Sequence, residues 1–223
     1  MRLDKYLSAL DICTRSESRR FAKKWCFVVN WNEVNNAWVK IQEWDMLEVS
    51  WVWVFEAKRN ITLRLYKSAG YVSSDTSEWW RPSYRELLWD YPYINLLHVA
   101  GRLDVDTEWL LILTSDGKLN HQIISPKRKL PKVYEVTVVY TLSDQNIKKL
   151  EQWVTLDDDY KTLPASCERL DSKKILLTLH EWKFHQVKRM MKAVGNEVTH
   201  LKRLSIGDWT LEGLESGEFD EIE

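Results

Sequence analysis

The segment from His98 to Thr107 combines ionisable residues with a position at the edge of a predicted core. It contains Arg102 and Asp104, and it leads into WLLILT at 109–114, a continuous apolar run that predicts a buried strand. Gly101 gives the backbone conformational freedom beside the two ionisable side chains. Charged groups are costly to remove from water unless they are paired or used, so the segment is a candidate site centred on Asp104. On spacing alone, a surface loop carrying an arginine and two acids explains it equally well.

The composition limits the class of protein. A chain of 223 residues with 44% apolar residues forms one large or two small domains. We expect no membrane span, because no run of about 18 apolar residues occurs, and the charged start at 1–5 does not match a signal peptide. Three scattered cysteines, Cys13, Cys26 and Cys167, have no metal-ligand spacing. They favour a reducing, cytoplasmic location and predict neither a disulfide framework nor a metal site.

Charge is distributed unevenly although the net charge is only −1. Basic residues are concentrated in three segments, at 1–24, 118–132 and 183–203, and acidic residues in the tail at 212–223. This pattern is typical of a protein that presents positive patches to a polyanion and stays near neutral overall. Any one segment could instead be a solvated face.

The first 56 residues predict a small basic unit. Apolar residues at helical spacing indicate a helix over 2–10, and a second helix is predicted over 17–24. Short strands are predicted at 26–30, 39–41 and 46–49. The second helix carries a basic face formed by Arg19, Arg20, Lys23 and Lys24. Such a unit suits docking onto a phosphate backbone.

The remainder predicts a mixed, mainly antiparallel sheet with a few helices, an α+β plan. A linker is expected near 55–60, which separates domains at 1–56 and 61–223. Strands are predicted at 61–66, 109–114, 132–140 and 174–180. Helices are predicted at 83–88, 118–124, 144–153 and 185–194.

Two sets of motifs resemble known families. The segments RLDKYL at 2–7, SESRR at 16–20 and VVN at 28–30 resemble the α-L RNA-binding module of a ribosomal small-subunit protein and several RNA-modifying enzymes. GRLDVDT at 101–107, with the motifs KVYEV at 132–136 and HQVKRM at 185–190, resembles the pseudouridine synthases that isomerise uridine in ribosomal RNA. Within them the match is to the RsuA type, which acts on small-subunit (16S) RNA. The resemblance implies an α-L module followed by a pseudouridine synthase catalytic domain.

The resemblance also implies roles for individual residues. Asp104 would be the nucleophile, Lys188 its cationic partner, and Tyr134 would stack on the target base and assist proton removal. Arg102 would fill the space that the flipped nucleotide leaves, or hold the backbone. RNA-binding residues are further expected at Arg19, Arg20, Lys23, Lys24, Arg128 and Arg189. The isomerisation involves no redox change, so no cofactor and no metal are expected. The expected partner is ribosomal RNA or a small-subunit assembly particle, bound by a monomer.

Other readings of the same residues remain open. Asp106 could be the important acid in place of Asp104, and Tyr134 could be a half-buried core aromatic. Lys188 could be a phosphate contact interchangeable with Arg189. For the histidines we expect structural hydrogen bonding in preference to general-base or metal roles: His98, His121 and His185. The alternative functions are a non-catalytic RNA-binding assembly factor and a family member acting on large-subunit RNA.

Tryptophan is unusually frequent and glycine rare, with 13 and 7 residues respectively. Several tryptophans stand where the two resembled patterns have glycine: Trp25, Trp31, Trp44, Trp109 and Trp182. We hypothesise that they replace glycines of the ancestral pattern. If those backbones need positive φ or close packing, indoles at these sites would together cost several kcal/mol or more, and the activity of this chain is less secure than its family membership.

Overall fold

The described strands form two separate sheets, and the helices lie between them in the sequence at irregular intervals. The computed structural model describes residues 1–50, 52–125 and 128–222, without the side chains of 52–54. Its five α-helices, within these ranges, are α1 (Leu3–Ala9), α2 (Arg15–Ala22), α3 (Gly117–Ile124), α4 (Asp144–Gln152) and α5 (Gln186–Ala193). Short 3₁₀ helices occupy Tyr84–Leu88 and Ile94–Leu96. None of the helices described could cross a bilayer.

The first sheet has four antiparallel strands in the order β2-β1-β3-β4. The strands are β1 (Phe27–Val29), β2 (Asn32–Val34), β3 (Met46–Val49) and β4 (Val52–Glu56). Helix α2 begins at a capping box, in which Thr14 and Glu17 each bond the other's backbone N–H. Helix α1 buries Leu3, Tyr6 and Leu7 in a core with Phe27 of β1 and residues of β3. The basic face of α2 therefore remains on the outside.

The second sheet holds eight strands, in the order β12-β5-β7-β11-β8-β10-β9, with β6 paired to β7. The strands are β5 (Thr62–Lys67), β6 (His98–Ala100), β7 (Glu108–Thr114), β8 (Lys132–Val138), β9 (Ser166–Arg169), β10 (Lys174–Leu179), β11 (Val198–Ile206) and β12 (Phe219–Glu221). Strands β7 and β11 pair in parallel, and the other described pairs of this sheet are antiparallel. The predicted mixed, mainly antiparallel α+β plan is confirmed.

Two local predictions are wrong. No strand forms at 39–41, where Lys40 makes one isolated bridge to Arg2, because the backbone groups of Val39 and Ile41 bond to Leu3 and Met1 at the start of α1 and not along a neighbouring strand. The predicted linker at 55–60 begins too early, since Phe55 and Glu56 belong to β4. The sequence pattern also missed β11, because His200, Lys202 and Arg203 interrupt its apolar alternation.

Most of the tryptophans that stand where the resembled patterns have glycine adopt a backbone conformation that favours glycine. Four of the flagged residues have positive φ, with +57° at Trp25, +65° at Trp31, +68° at Trp44 and +88° at Trp109. Only a small fraction of non-glycine residues adopt this region. Trp182 is not among the positive-φ residues that the structure describes, so a left-handed backbone does not explain its position.

Candidate active site

The segment from Gly101 to Thr107, here called the aspartate loop, connects β6 to β7. It begins at Gly101, whose φ of +89° lies in the region that favours glycine. The buried hydroxyl of Ser73 donates to the Leu103 carbonyl at 2.9 Å and accepts from the Leu103 N–H at 3.1 Å. The Thr107 N–H donates to the Asp104 carbonyl at 3.1 Å. These contacts fix the backbone on both sides of the Asp104 side chain.

Helix α5 brings a cation to this loop. The Nζ atom of Lys188 lies 3.0 Å from Oδ2 of Asp104 and 2.5 Å from Oδ1 of Asp106. The Asp104 side chain is 25% exposed, whereas that of Asp106 is 65% exposed. Both carboxylates thus share one cation, but Asp104 is the more enclosed of the two.

The charges at this contact are mutually stabilised. Burial alone would lower the pKa of Lys188, but hydrogen bonds to Asp106 and Asp104 outweigh it and raise that pKa above its ordinary value. Burial would likewise raise the pKa of Asp106, but Lys188 outweighs this effect and lowers it. Lys188 is therefore positively charged at neutral pH.

A pocket of about 400 Å³ lies over this contact. Asp104, Tyr134 and Lys188 all line it, together with Arg102, Leu103, Thr107, Leu179, Glu181, Trp182, Lys183, His185, Gln186, Val187 and Leu201. Tyr134 lies in β8 and is 7% exposed. Burial raises its pKa, partly opposed by Arg203, so the phenol is protonated at neutral pH. The structure thus brings together the three predicted catalytic residues from three separate elements.

Comparison with known proteins identifies a family for this chain. The family model for RNA pseudouridylate synthase matches residues 61–193. The chain is 38% identical to ribosomal small subunit pseudouridine synthase A of Vibrio vulnificus, over 98% of this chain and 94% of that protein. It is 37% identical to an uncharacterised RNA pseudouridine synthase of Aquifex aeolicus, over 100% of this chain and 92% of that one. A solved pseudouridylate synthase superposes with a TM-score of 0.69 at 33% identity, covering 100% of this chain and 96% of that chain.

The chain belongs to the RNA pseudouridylate synthase family. The predicted resemblance to RNA pseudouridine synthases of the RsuA type is confirmed. The protein is an isomerase of this family, and the enclosed Asp104–Lys188 contact lies within the region that the family model matches.

The predicted RNA-binding residues of this pseudouridine synthase differ in how free their charges are. The Arg102 side chain is 64% exposed at the pocket rim and lies 3.9 Å from the Glu78 carboxylate. Arg189, in contrast, is 16% exposed and lies 2.5 Å from Asp157 and 2.6 Å from Asp158. Its charge is already paired within the protein.

The remaining predicted RNA-binding residues are exposed: Arg19, Arg20, Lys23, Lys24 and Arg128. Two of them contact neighbouring aromatic rings. The Arg19 guanidinium lies 5.6 Å from the centre of the Trp38 ring, and that of Arg20 lies 5.2 Å from the Phe21 ring. A ring contact of this kind occupies the face of a guanidinium and not its N–H groups. The Arg20 guanidinium also lies 4.0 Å from the Glu17 carboxylate.

A second, larger cavity adjoins the rim of the synthase pocket. It has a volume of about 820 Å³, and both cavities are lined by Arg102, Leu103, Asp104, Trp182 and His185. Its own walls add Arg81, Glu78 and the exposed Phe184. This cavity therefore extends the open space beside the aspartate loop.

Three residues near the aspartate loop escaped sequence reasoning. Nε2 of His185 lies 3.5 Å from Oδ1 of Asp104, so this histidine faces the site although a structural role was expected. Lys67 and Arg203 are both fully buried. A signal existed for Arg203, since a basic residue between Leu201 and Ile206 in an otherwise half-apolar strand is unusual. In the described part of the chain, no group of three or more His, Cys, Asp or Glu side chains is arranged to hold a metal.

Proposed function

We propose that this protein isomerises a specific uridine in small-subunit (16S) ribosomal RNA, with Asp104 as the nucleophile and without a cofactor. The observation that carries the proposal is the enclosed Asp104 carboxylate, which faces the pocket and lies 3.0 Å from Lys188. The substrate class rests on relatives 35–38% identical over 98% of this chain, which are named ribosomal small subunit pseudouridine synthase A.

The reaction needs a group that can attack a carbon atom and later leave again. The ribose C1′–N1 bond breaks, the uracil turns, and a C1′–C5 bond forms; C5 loses one proton and N1 gains one, so atoms and electrons balance. A carboxylate can act as such a nucleophile when it remains ionised in a partly dry pocket. Lys188 places a positive charge 3.0 Å from the Asp104 carboxylate, where it attracts that group's negative charge.

Tyr134 supplies a ring within the same pocket. Because it is almost fully buried and protonated at neutral pH, it offers an apolar face against which the flipped uracil packs. Arg102 lies at the rim, with its side chain mostly exposed. We assign it the role of holding the RNA strand from which the uridine has been turned out.

The N-terminal unit would dock the RNA. Helices α1 and α2 with strands β1–β4 form the unit whose motifs resemble the α-L RNA-binding module. Arg19, Arg20, Lys23 and Lys24 are exposed on or just after α2. Phosphate contacts of this kind position a substrate without reading its sequence.

The proposal is tested by incubating the protein with small-subunit and, separately, large-subunit ribosomal RNA and mapping pseudouridine. We expect one modified position in small-subunit RNA, and none with Asp104→Asn. Product in large-subunit RNA alone would overturn the substrate assignment. If wild type and Asp104→Asn both bind RNA and neither gives product in either RNA, the catalytic proposal fails and a binding role in ribosome assembly replaces it.

A further inference from the structure

Arg203 occupies a central position beside the pocket. Strand β11, which contains it, lies between β7 and β8. The register places Arg203 opposite Trp109 in β7 and opposite Tyr134 in β8. Its side chain is 0% exposed, and it is not among the residues that line the pocket. Arg203 is therefore a buried cation on the same face of the sheet as its register partner Tyr134, next to the pocket but not part of its lining.

The guanidinium of Arg203 binds backbone carbonyls of the aspartate loop. Nη2 donates to the Gly101 carbonyl at 2.8 Å, and Nη1 donates to the Arg102 carbonyl at 3.4 Å. Nε and Nη2 also donate to the Leu110 carbonyl in β7, at 3.1 and 2.9 Å. One rigid, planar group thus connects the start of the loop to the strand that follows it. Asp104 lies between these two attachment points.

The same guanidinium interacts with the second predicted catalytic residue. Arg203 and Tyr134 lie directly opposite each other in β11 and β8. Burial raises the pKa of Tyr134, while the positive charge of Arg203 opposes the rise. Burial lowers the pKa of Arg203, and this effect is opposed by Tyr134 first and then by the charge of Asp104. Arg203 therefore faces both Tyr134 and the loop that carries Asp104.

Stability of the fold does not by itself explain a buried cation at this position. No ion pair to Arg203 occurs among the residues that the structure describes, so its charge is compensated by carbonyl dipoles. Such a charge costs more to bury than an apolar side chain of similar size. Perturbed groups of this kind concentrate at functional sites.

We propose that Arg203 is a positioning residue, which holds the carbonyls before Asp104 and the side chain of Tyr134 in one mutual arrangement from beside the pocket. This inference rests on the proposed function. Arg203 does not touch the substrate, so its removal affects the reaction rate at saturation and leaves RNA affinity largely unchanged. A side chain that only fills the core would affect stability and leave the rate of the folded enzyme unchanged.

The test compares Arg203→Met and Arg203→Lys with wild type, at enzyme concentrations that saturate a small-subunit RNA substrate. We expect the single-turnover rate to fall about 10²-fold in Arg203→Met, since a displacement of about 1 Å can cost that much. We expect RNA affinity within about threefold of wild type. Arg203→Lys keeps the charge but loses the planar fork, so we expect only partial rescue. If Arg203→Met does not fold, the Arg203→Lys rate decides.

Lys132→Met is the matched control. Lys132 is 6% exposed in the neighbouring strand β8, and its Nζ donates to the Leu130 carbonyl at 3.2 Å. It is a buried cation whose pKa is lowered by burial and by the nearby charge of Arg203, but its hydrogen bond is not to the aspartate loop. We expect this variant to change in stability without a change in the single-turnover rate. Wild-type rates in folded Arg203→Met and Arg203→Lys would overturn the inference, as would an equal loss of rate in Lys132→Met.

A second measurement separates this inference from the proposed function. In a crystal structure of Arg203→Met, or of Arg203→Lys if the former does not fold, we expect the aspartate loop to move relative to Tyr134. We also expect the Asp104–Lys188 contact of 3.0 Å to lengthen. An unchanged loop would refute the positioning role even if no RNA were modified. Absence of product with wild type, in contrast, would refute the proposed function alone.

Discussion

Lys188 contributes one ammonium group to two carboxylates of the same loop, at 3.0 Å from Asp104 and 2.5 Å from Asp106. Asp106, the closer partner, is the more exposed of the two. Asp104 is more enclosed and lines the pocket. A fixed cation beside a partly dry carboxylate is an example of electrostatic preorganisation, because the charge is in place before the substrate arrives. Distance alone would select Asp106, whereas enclosure by the pocket selects Asp104.

The two acids are predicted to differ strongly when each is neutralised. We expect Asp104→Asn to lower the single-turnover rate by more than about 10³-fold, as loss of a nucleophile does in other enzymes. Asp106→Asn should retain activity within about 10-fold, because its side chain is mostly exposed and does not line the pocket. Each variant serves as the control for the other, with pseudouridine formation as the readout. A larger loss in Asp106→Asn would assign the nucleophile to Asp106.

Lys188 is predicted to support the reaction through its charge. In Lys188→Met the Asp104 and Asp106 carboxylates would lose the cation that lies 3.0 and 2.5 Å from them. We expect the rate at saturation to fall by about 10²-fold, with partial recovery in Lys188→Arg. Lys173→Met, which removes an exposed lysine from a turn, is the control. If RNA affinity fell and the saturated rate did not, Lys188 would be a phosphate contact.

The sequence predicts the residues that line the pocket better than it predicts strand β11 and the buried Arg203. Motifs that resemble a family identify Asp104, Tyr134 and Lys188, and the structure brings all three to one pocket. Strand β11 was missed because polar residues dominate its outward positions, and a buried arginine breaks its apolar alternation. Four hydrogen bonds to carbonyls of the aspartate loop and β7 compensate the buried charge of Arg203. These partners lie far away in the chain, so no local pattern reveals them.

His185 illustrates a similar limit. It precedes α5 in a left-handed conformation, with φ of +49°, which directs its ring toward the aspartate loop. Sequence spacing predicts the helix but not this N-terminal geometry. The tryptophans show the reverse case, since the comparison with glycine patterns anticipated the positive φ at Trp25, Trp31, Trp44 and Trp109. Backbone requirements of turns are local, and they can therefore be predicted from a motif.

Lys67 is predicted to make stability depend on pH. Burial lowers its pKa from 10.5 to about 8, against the raising effects of Asp106 and Asp104. Between these two values the unfolded chain binds more protons than the folded one, so the free energy of unfolding contributed by Lys67 rises with pH. We expect the free energy of unfolding of the wild type to increase, relative to that of Lys67→Met, by up to about 1.4 kcal/mol per pH unit in this window.

Chemical denaturation at about pH 7.5, 8.5 and 9.5 measures this difference. Lys67 is fully buried and its Nζ donates to the Ser68 carbonyl at 3.0 Å, so Lys67→Met changes the overall stability as well as its slope. Only the slope of the difference against pH reports the titration. The exposed Lys173→Met variant should run parallel to wild type. A parallel curve for Lys67→Met would refute the lowered pKa.

Binding of RNA is predicted to depend on salt through the exposed lysines after α2. We expect Lys23→Gln with Lys24→Gln to weaken binding to every RNA sequence alike. The slope of log affinity against log salt should decrease by about 0.7 to 0.9 for each phosphate that the variant no longer neutralises. The rate at saturation should not change. The pair Lys148→Gln and Lys149→Gln, exposed on α4, is the control. An unchanged slope in the first pair would show that this face does not contact phosphate.

Tryptophan at positive φ is predicted to destabilise the fold. Trp31 and Trp44, with φ of +65° and +68°, are 79% and 63% exposed, so their indoles contribute little packing. Strained non-glycine backbone costs about 1 kcal/mol or more per residue. We expect Trp31→Gly and Trp44→Gly each to raise the free energy of unfolding by about 1 kcal/mol.

Trp89→Gly is the matched control for these two variants. Trp89 is 84% exposed, yet its φ is −57°. Replacing tryptophan by glycine at this negative φ therefore relieves no backbone strain, and it increases the conformational entropy of the unfolded chain. We expect Trp89→Gly to lower the free energy of unfolding by about 0.5 to 1 kcal/mol. Thermal or denaturant unfolding of the three variants measures the difference in sign. If all three variants were destabilised equally, the left-handed backbone at Trp31 and Trp44 would not be a source of strain. The interpretation of these two tryptophans as replacements of glycine would then lose its physical basis.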